Sequence, residues 1–293
     1  MRPVLAKVFT ALTLSFTFGV SALHASSEGV SPAAYEIVRF ANLPVTNAMI
    51  MSWIVSAILI ISIRCMVLRP TLVPSRGQAI IESLLTGIRD LIAPIVGKKL
   101  VEPTLPLFVG LFTYILIQNW SGLLPGVGTI GHFHDGHFKY FFRPANADLN
   151  GTIALSLVAM IAWLYFVLKY AGFKTLFTDL FGNKANKAEV PAAIYYLLFV
   201  VFIAVGFIEI VSILFRPVSL SLRLYGNIFG GENLLTSMTG LVRWIVPVPF
   251  YFLEVLVGFV QALVFTLLLA VYIGSICNHH DDSEAPGGAQ GSH

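Results

Sequence analysis

From Ala192 to Gly240, and again from Trp244 to Ile276, the chain is built almost entirely of apolar residues. About 20 helical residues cross the hydrocarbon core of a bilayer, so the first stretch is roughly twice as long as a perpendicular span needs. It must tilt strongly, break, or do both, and Pro217 with the glycines at 226, 230 and 231 supplies places to bend. Shorter apolar stretches precede it. With 57% hydrophobic and 11% charged residues and a mean hydropathy of +0.83, the composition belongs to a polytopic membrane protein, not to a soluble domain. A net charge of only +3, with Lys and Arg gathered in short connections, excludes a nucleic-acid partner. Cys65 and Cys277 stand at the ends of predicted spans and offer neither metal-ligand spacing nor a disulfide framework.

Residues 1–25 read as a secretory signal peptide: Arg2 and Lys7, a short apolar run, and small residues at a cleavage site. An uncleaved first anchor is the alternative. Residues 26–45 then form an external segment, and residues 46–276 the membrane domain. Thr46 or Asn47 caps a first span to about Ile63, and Arg64, Arg69 and Arg76 mark its cytoplasmic flank. From Ser75 to Lys99, Ile80, Ile81, Leu84, Leu85, Ile88, Leu91 and Ile92 recur at helical spacing. Arg76, Gln78, Glu82, Arg89 and Asp90 fill the other faces, which makes an amphipathic helix on the cytoplasmic surface or docked on its neighbours.

A second span, about Pro103 to Leu124, stops at Pro125 and Gly126, and a polar external loop continues to about Asn150. The third span, about Gly151 to Tyr170, meets a cytoplasmic connection with Lys169, Lys174, Lys184 and Lys187. The last two apolar stretches form a long tilted hairpin whose external turn holds Arg243. Residues 277–293 are a disordered cytoplasmic tail. The expected fold class is all-α: about five transmembrane helices after a signal peptide.

Ionisable side chains inside such a hairpin are expensive and need an explanation. Between Ala192 and Ile276 stand Glu209, Glu232, Glu254, Arg216, Arg223 and Arg243. Arg216 and Arg243 can snorkel to the interfaces. Arg223 remains a cation at any depth, because a guanidinium does not deprotonate in a protein. Asn227, four residues on, shares its face. Glu232 lies about half a turn away and roughly 13 Å further along the axis, and Glu209 about 20 Å in the other direction.

Glu254 and Gln261 share one face of the last span, and an antiparallel hairpin sets them near the levels of Glu232 and Arg223. The order is a carboxylate pair toward the outside, a fixed cation near the middle and a carboxylate toward the inside. Two offset aqueous half-channels separated by a positive barrier require that order. No acid of this chain lies near Arg223 by helix geometry, so the mobile carboxylate must come from a second subunit.

The segments "RPVSLSLRLYGNIFGGE" and "FLEVLVGFVQALVFTLL" resemble the a subunit of rotary F-type ATP synthases, as do "QNWSGLLPG" at 118–126 and "PANADLNGTIALS" at 144–156. In that resemblance Arg223 matches the family's essential arginine, and Asn227, Glu232 and Gln261 its neighbouring polar positions. Asn119 matches a polar position of the external path and Glu209 an acid on the cytoplasmic side. Two positions depart: Glu254 stands where some members have histidine, and Gly122 where some have aspartate.

The resemblance implies a non-catalytic stator in a bacterial inner membrane, carrying H⁺ to and from the carboxylates of a rotating ring of c-type proteolipids. Its other implied partners are b-type peripheral stalk subunits and membrane lipid, with no cofactor. A secondary transporter that binds an anionic solute at Arg223 is the alternative, but no second copy of the arginine segment is present. His132, His134, Asp135 and His137 include zinc-ligand types in what reads as a solvated loop.

Overall fold

The computed structural model describes residues 34–40, 43–68, 71–124, 127, 131–134, 137–173, 175–176, 192–241 and 246–284. An antiparallel hairpin of β1 (Glu36–Phe40) and β2 (Leu43–Thr46) leads into α1 (Asn47–Met66), α2 (Arg76–Val96) and α3 (Lys98–Ser121). A second hairpin, β3 (Gly131–His134) with β4 (His137–Tyr140), and a 3-10 turn at Ala145–Ala147 connect α3 to α4 (Leu149–Tyr170). Two long helices follow, α5 (Ala192–Leu241) and α6 (Pro247–Glu284). Every helix except α2 contains a stretch long and apolar enough to cross a membrane. The chain is an all-α polytopic membrane protein.

Such a protein is apolar outside as well as inside, because lipid replaces water around it and only closed hydrogen-bonded backbones survive there. Ile58, Ile60 and Ile61 of α1, Ile161 of α4, Phe207 and Ile208 of α5 and Phe252 of α6 are all exposed. Packing inside centres on α3 and α6, where Phe108 and Ile115 meet Phe265, Leu269 and Ile273 in one fully buried cluster. Ile92 and Val96 of α2, Trp163 and Val167 of α4, and Leu220 and Leu224 of α5 complete it.

With lipid tails as apolar as leucine, close approach and hydrogen bonds hold the helices together. A Cβ on Gly274 would strike the Ile95 carbonyl, and one on Gly258 would sit 3.2 Å from Asn119 Cβ. Trp163 Nε1 donates to the Tyr272 carbonyl at 2.8 Å.

Helix α1 starts as expected, with Thr46 Oγ1 accepting from Met49 N–H. Helix α2 is the amphipathic segment; it docks on α3 and α6 through Ile88, Ile92 and Val96 and leaves Ile80 exposed. Gly97, at φ +88°, makes the tight turn into α3.

Three expectations are corrected. Helix α3 ends at Ser121 rather than Leu124: Ser121 Oγ turns back to the Gln118 carbonyl, and Gly122 lets Pro144 approach so closely that a Cβ would lie 2.5 Å from its Cγ. The external loop carries the β3–β4 hairpin. Of the outcomes the long apolar stretch left open, breaking is not the one taken, for α5 is one helix of 50 residues with Pro217 inside it. At about 1.5 Å per residue such a helix is far longer than the core is thick, and an interruption would strand backbone groups in hydrocarbon, so tilt is the solution left. Helix α6 continues to Glu284, beyond the expected start of a tail at residue 277. The signal segment, Arg69, Lys174, Lys184, Lys187 and Arg243 lie outside the described residues.

Candidate functional site

The hairpin of α5 and α6 is antiparallel, and two contacts set its register. Asn227 Nδ2 donates to Gln261 Oε1 at 2.6 Å, and one turn further along α5 the Glu254 carboxyl lies directly over Gly231. Any side chain at 231 would occupy the space of that carboxyl. Glycine at this position leaves that carboxyl its space, and Glu254 lines the same recess as Glu232.

These two acids and Asn119 line one cavity of about 140 Å³, walled also by Gly122, Phe142, Pro144, Ile228, Thr236 and Tyr251. Asn119 is fixed on both sides: its Nδ2 donates to the Gly258 carbonyl at 2.9 Å, and its Oδ1 accepts from Asn146 Nδ2 at 2.7 Å. The cavity is thus a polar recess enclosed by α3, α5, α6 and the segment before α4. It has room for a few waters, since one water takes about 30 Å³ of liquid volume.

Glu254 is buried, yet it has no hydrogen-bond or ion-pair partner among the described residues. Glu232 is half-buried and accepts from Arg143 Nη2 at 3.4 Å. Alanine at position 231 should press on the Glu254 carboxyl. Because alanine favours a helix over glycine by about 1 kcal/mol, the variant should still assemble. Thermal unfolding of the purified variant in detergent is the check, with little change expected.

Arg223 stands apart from this recess. It is exposed on α5 and makes no hydrogen bond or ion pair among the described residues, while its neighbours Leu220, Ser221 and Leu224 are buried against the bundle. Asn227, one turn on, is exposed on the same side. The cation therefore faces away from its own chain.

Arg216 behaves differently from the expectation. Arg216 does not snorkel: its side chain is 15% exposed, its Nη2 donates to Glu209 Oε1 at 2.7 Å, and its guanidinium lies 4.5 Å from the centre of the Tyr272 ring. A cation that can be paired and stacked within the protein gains more there than by stretching to a distant interface. Glu209 remains half-exposed, two turns from Arg216 along α5.

The structure thus brings Asn119, Glu232 and Glu254 into one recess, bonds Asn227 to Gln261 beside it, and leaves Arg223 and Glu209 at successive levels of α5. Sequence reasoning missed Arg143 and Asn146. Arg143 lies in irregular chain and Asn146 in a single 3-10 turn, so no spacing rule could carry Arg143 to Glu232, 89 residues away in sequence, or Asn146 to Asn119, 27 away. A signal was present only in the company they keep, an arginine directly before Pro144 and an asparagine two residues after it, where the chain re-enters the bundle. Among the described residues no group of three or more His, Cys, Asp or Glu is placed to hold a metal ion, and the side chains of His132, His134, Asp135 and His137 lie outside them. A family model described as ATP synthase A chain matches residues 49–274.

Proposed function

As the chain belongs to the ATP synthase A chain family, we propose that it is the non-catalytic stator of the membrane sector, with two offset half-channels serving the carboxylates of a rotating c-type proteolipid ring. Protons enter the outer recess at Asn119, Glu232 and Glu254, pass the Asn227–Gln261 pair, and protonate a ring carboxylate near Arg223. After nearly a full turn through lipid, that carboxyl releases its proton toward Glu209. Arg223 attracts the ionised ring carboxylate and, being unable to deprotonate, blocks direct leakage between the half-channels. Rotation of the ring couples this flow to ATP synthesis in a soluble head, with b-type stalk subunits holding the stator still. The chain would sit in a bacterial inner membrane with α1 starting outside and α6 ending in the cytoplasm, as the arginine Arg64 in the last turn of α1 favours.

The observation that carries this reading is the position of Arg223: an exposed cation, with no acidic partner among the described residues, on a helix apolar enough to cross a membrane. A transporter would hold its solute in a cavity, and Arg223 faces outward instead of into the recess. Disulfide cross-linking tests the proposal in a background where Cys65 and Cys277 are serine. Cysteines at Leu222 and Gly226, which are exposed, should form adducts with a cysteine beside the ring carboxylate, and one at buried Ala262 should not. Absence of adducts at 222 and 226, with adducts at exposed Ile61 of α1, would place the ring elsewhere.

A further inference from the structure

The two acids of the outer recess are chemically unequal, and the inequality comes from a residue outside the hairpin. Arg143 lies in the irregular segment before the 3-10 turn, its side chain is 3% exposed, and its guanidinium rests 6.0 Å from the centre of the Phe229 ring on α5. From there its Nη2 reaches Glu232 Oε2 at 3.4 Å. Glu254, on α6 against Gly231, has no such partner among the described residues, although it lines the same recess.

We propose that Arg143 is a positioning residue of the outer recess: it holds Glu232 as a fixed anion, which leaves Glu254 as the carboxyl that takes up and releases the exchanging protons. The inference rests on the stator reading and adds a division of labour within its inlet. Its physical basis is that a permanent cation set against a carboxylate in a poorly solvated site satisfies that carboxylate's charge and orientation, whereas a carboxyl with no counter-charge is the one whose charge the site leaves free to change.

A buried cation deprived of its partner is costly, and so is the partner deprived of its cation, whereas removing both charges together costs far less. That asymmetry defines the test, made on the assembled ATP synthase in inverted vesicles, with assembly followed by co-purification of the ring. Arg143→Gln should pump protons at least tenfold more slowly than the parent. Arg143→Lys, which keeps a cation, should recover most of that loss, and the double variant Arg143→Gln with Glu232→Gln should pump faster than Arg143→Gln, at the rate of Glu232→Gln alone. Adding Glu254→Gln to the double variant should abolish the recovery.

A double variant no better than Arg143→Gln alone would overturn the proposal, because Arg143 would then not act through Glu232. Persistence of pumping after Glu254 is also replaced would overturn it too. Should Arg143→Gln fail to assemble, the double variant is compared with Glu232→Gln alone; equal rates support the pairing, and a further loss in the double refutes it. These results leave the stator reading standing, since that reading fails only if the parent pumps without Arg223.

Discussion

Replacing Arg223 by alanine is expected to abolish ATP-driven proton pumping in inverted vesicles while the chain still assembles with its ring. Assembly should survive because Arg223 is exposed and holds nothing in its own chain among the described residues, so its loss opens no cavity and orphans no internal partner. Pumping should not survive, because in the proposed mechanism the ring carboxylate would lose the cation that the exposed face of α5 offers it and the positive barrier between the proposed half-channels would go with it.

Arg223→Lys should fail almost as completely. A lysine keeps a charge at neutral pH but lacks the broad planar fork, and desolvation lets it give up its proton where arginine cannot. Normal pumping with either variant would make Arg223 a structural residue and remove the ground for the proposed stator mechanism.

The second large effect is expected from Glu232→Gln combined with Glu254→Gln. Both acids line the outer recess, and glutamine matches their shape, so the hairpin and its Gly231 contact should persist and the complex should assemble. What disappears is every carboxyl in the recess. Proton uptake should fall by about two orders of magnitude, equivalent to roughly 2.7 kcal/mol in a rate-limiting barrier. Synthesis of ATP at the parental rate would show that protons enter by another route.

Much of the architecture was legible because membrane helices obey two rules that act locally: a span needs about 20 apolar residues, and its backbone must bond to itself. The starts of α1 and α4 fall within a residue or two of expectation, and the antiparallel pairing of α5 with α6 followed from a short connection between two apolar runs. Where expectation failed, the cause was local chemistry at the margin of lipid. Gly122 stands out in the sequence only as a departure from a family pattern, yet it is the point where α3 ends and Pro144 packs. Arg216 stands at a sequence position from which it could reach the interface, yet Tyr272 and Glu209 hold it within the protein.

By itself the sequence determined that the chain is a polytopic membrane bundle, that Glu209, Arg223 and Glu232 lie at successive levels of one helix, and that Arg223 has no acid within helical reach. Those are consequences of a single period and rise, which any segment of known secondary structure reveals. Only the tertiary structure decided that Arg143 and Asn146 reach the outer recess, that Glu254 lies over Gly231, and that Arg223 is turned outward. Such contacts join segments scores of residues apart through irregular chain, where no periodicity relates one side chain to another. They arise from how six helices pack at once.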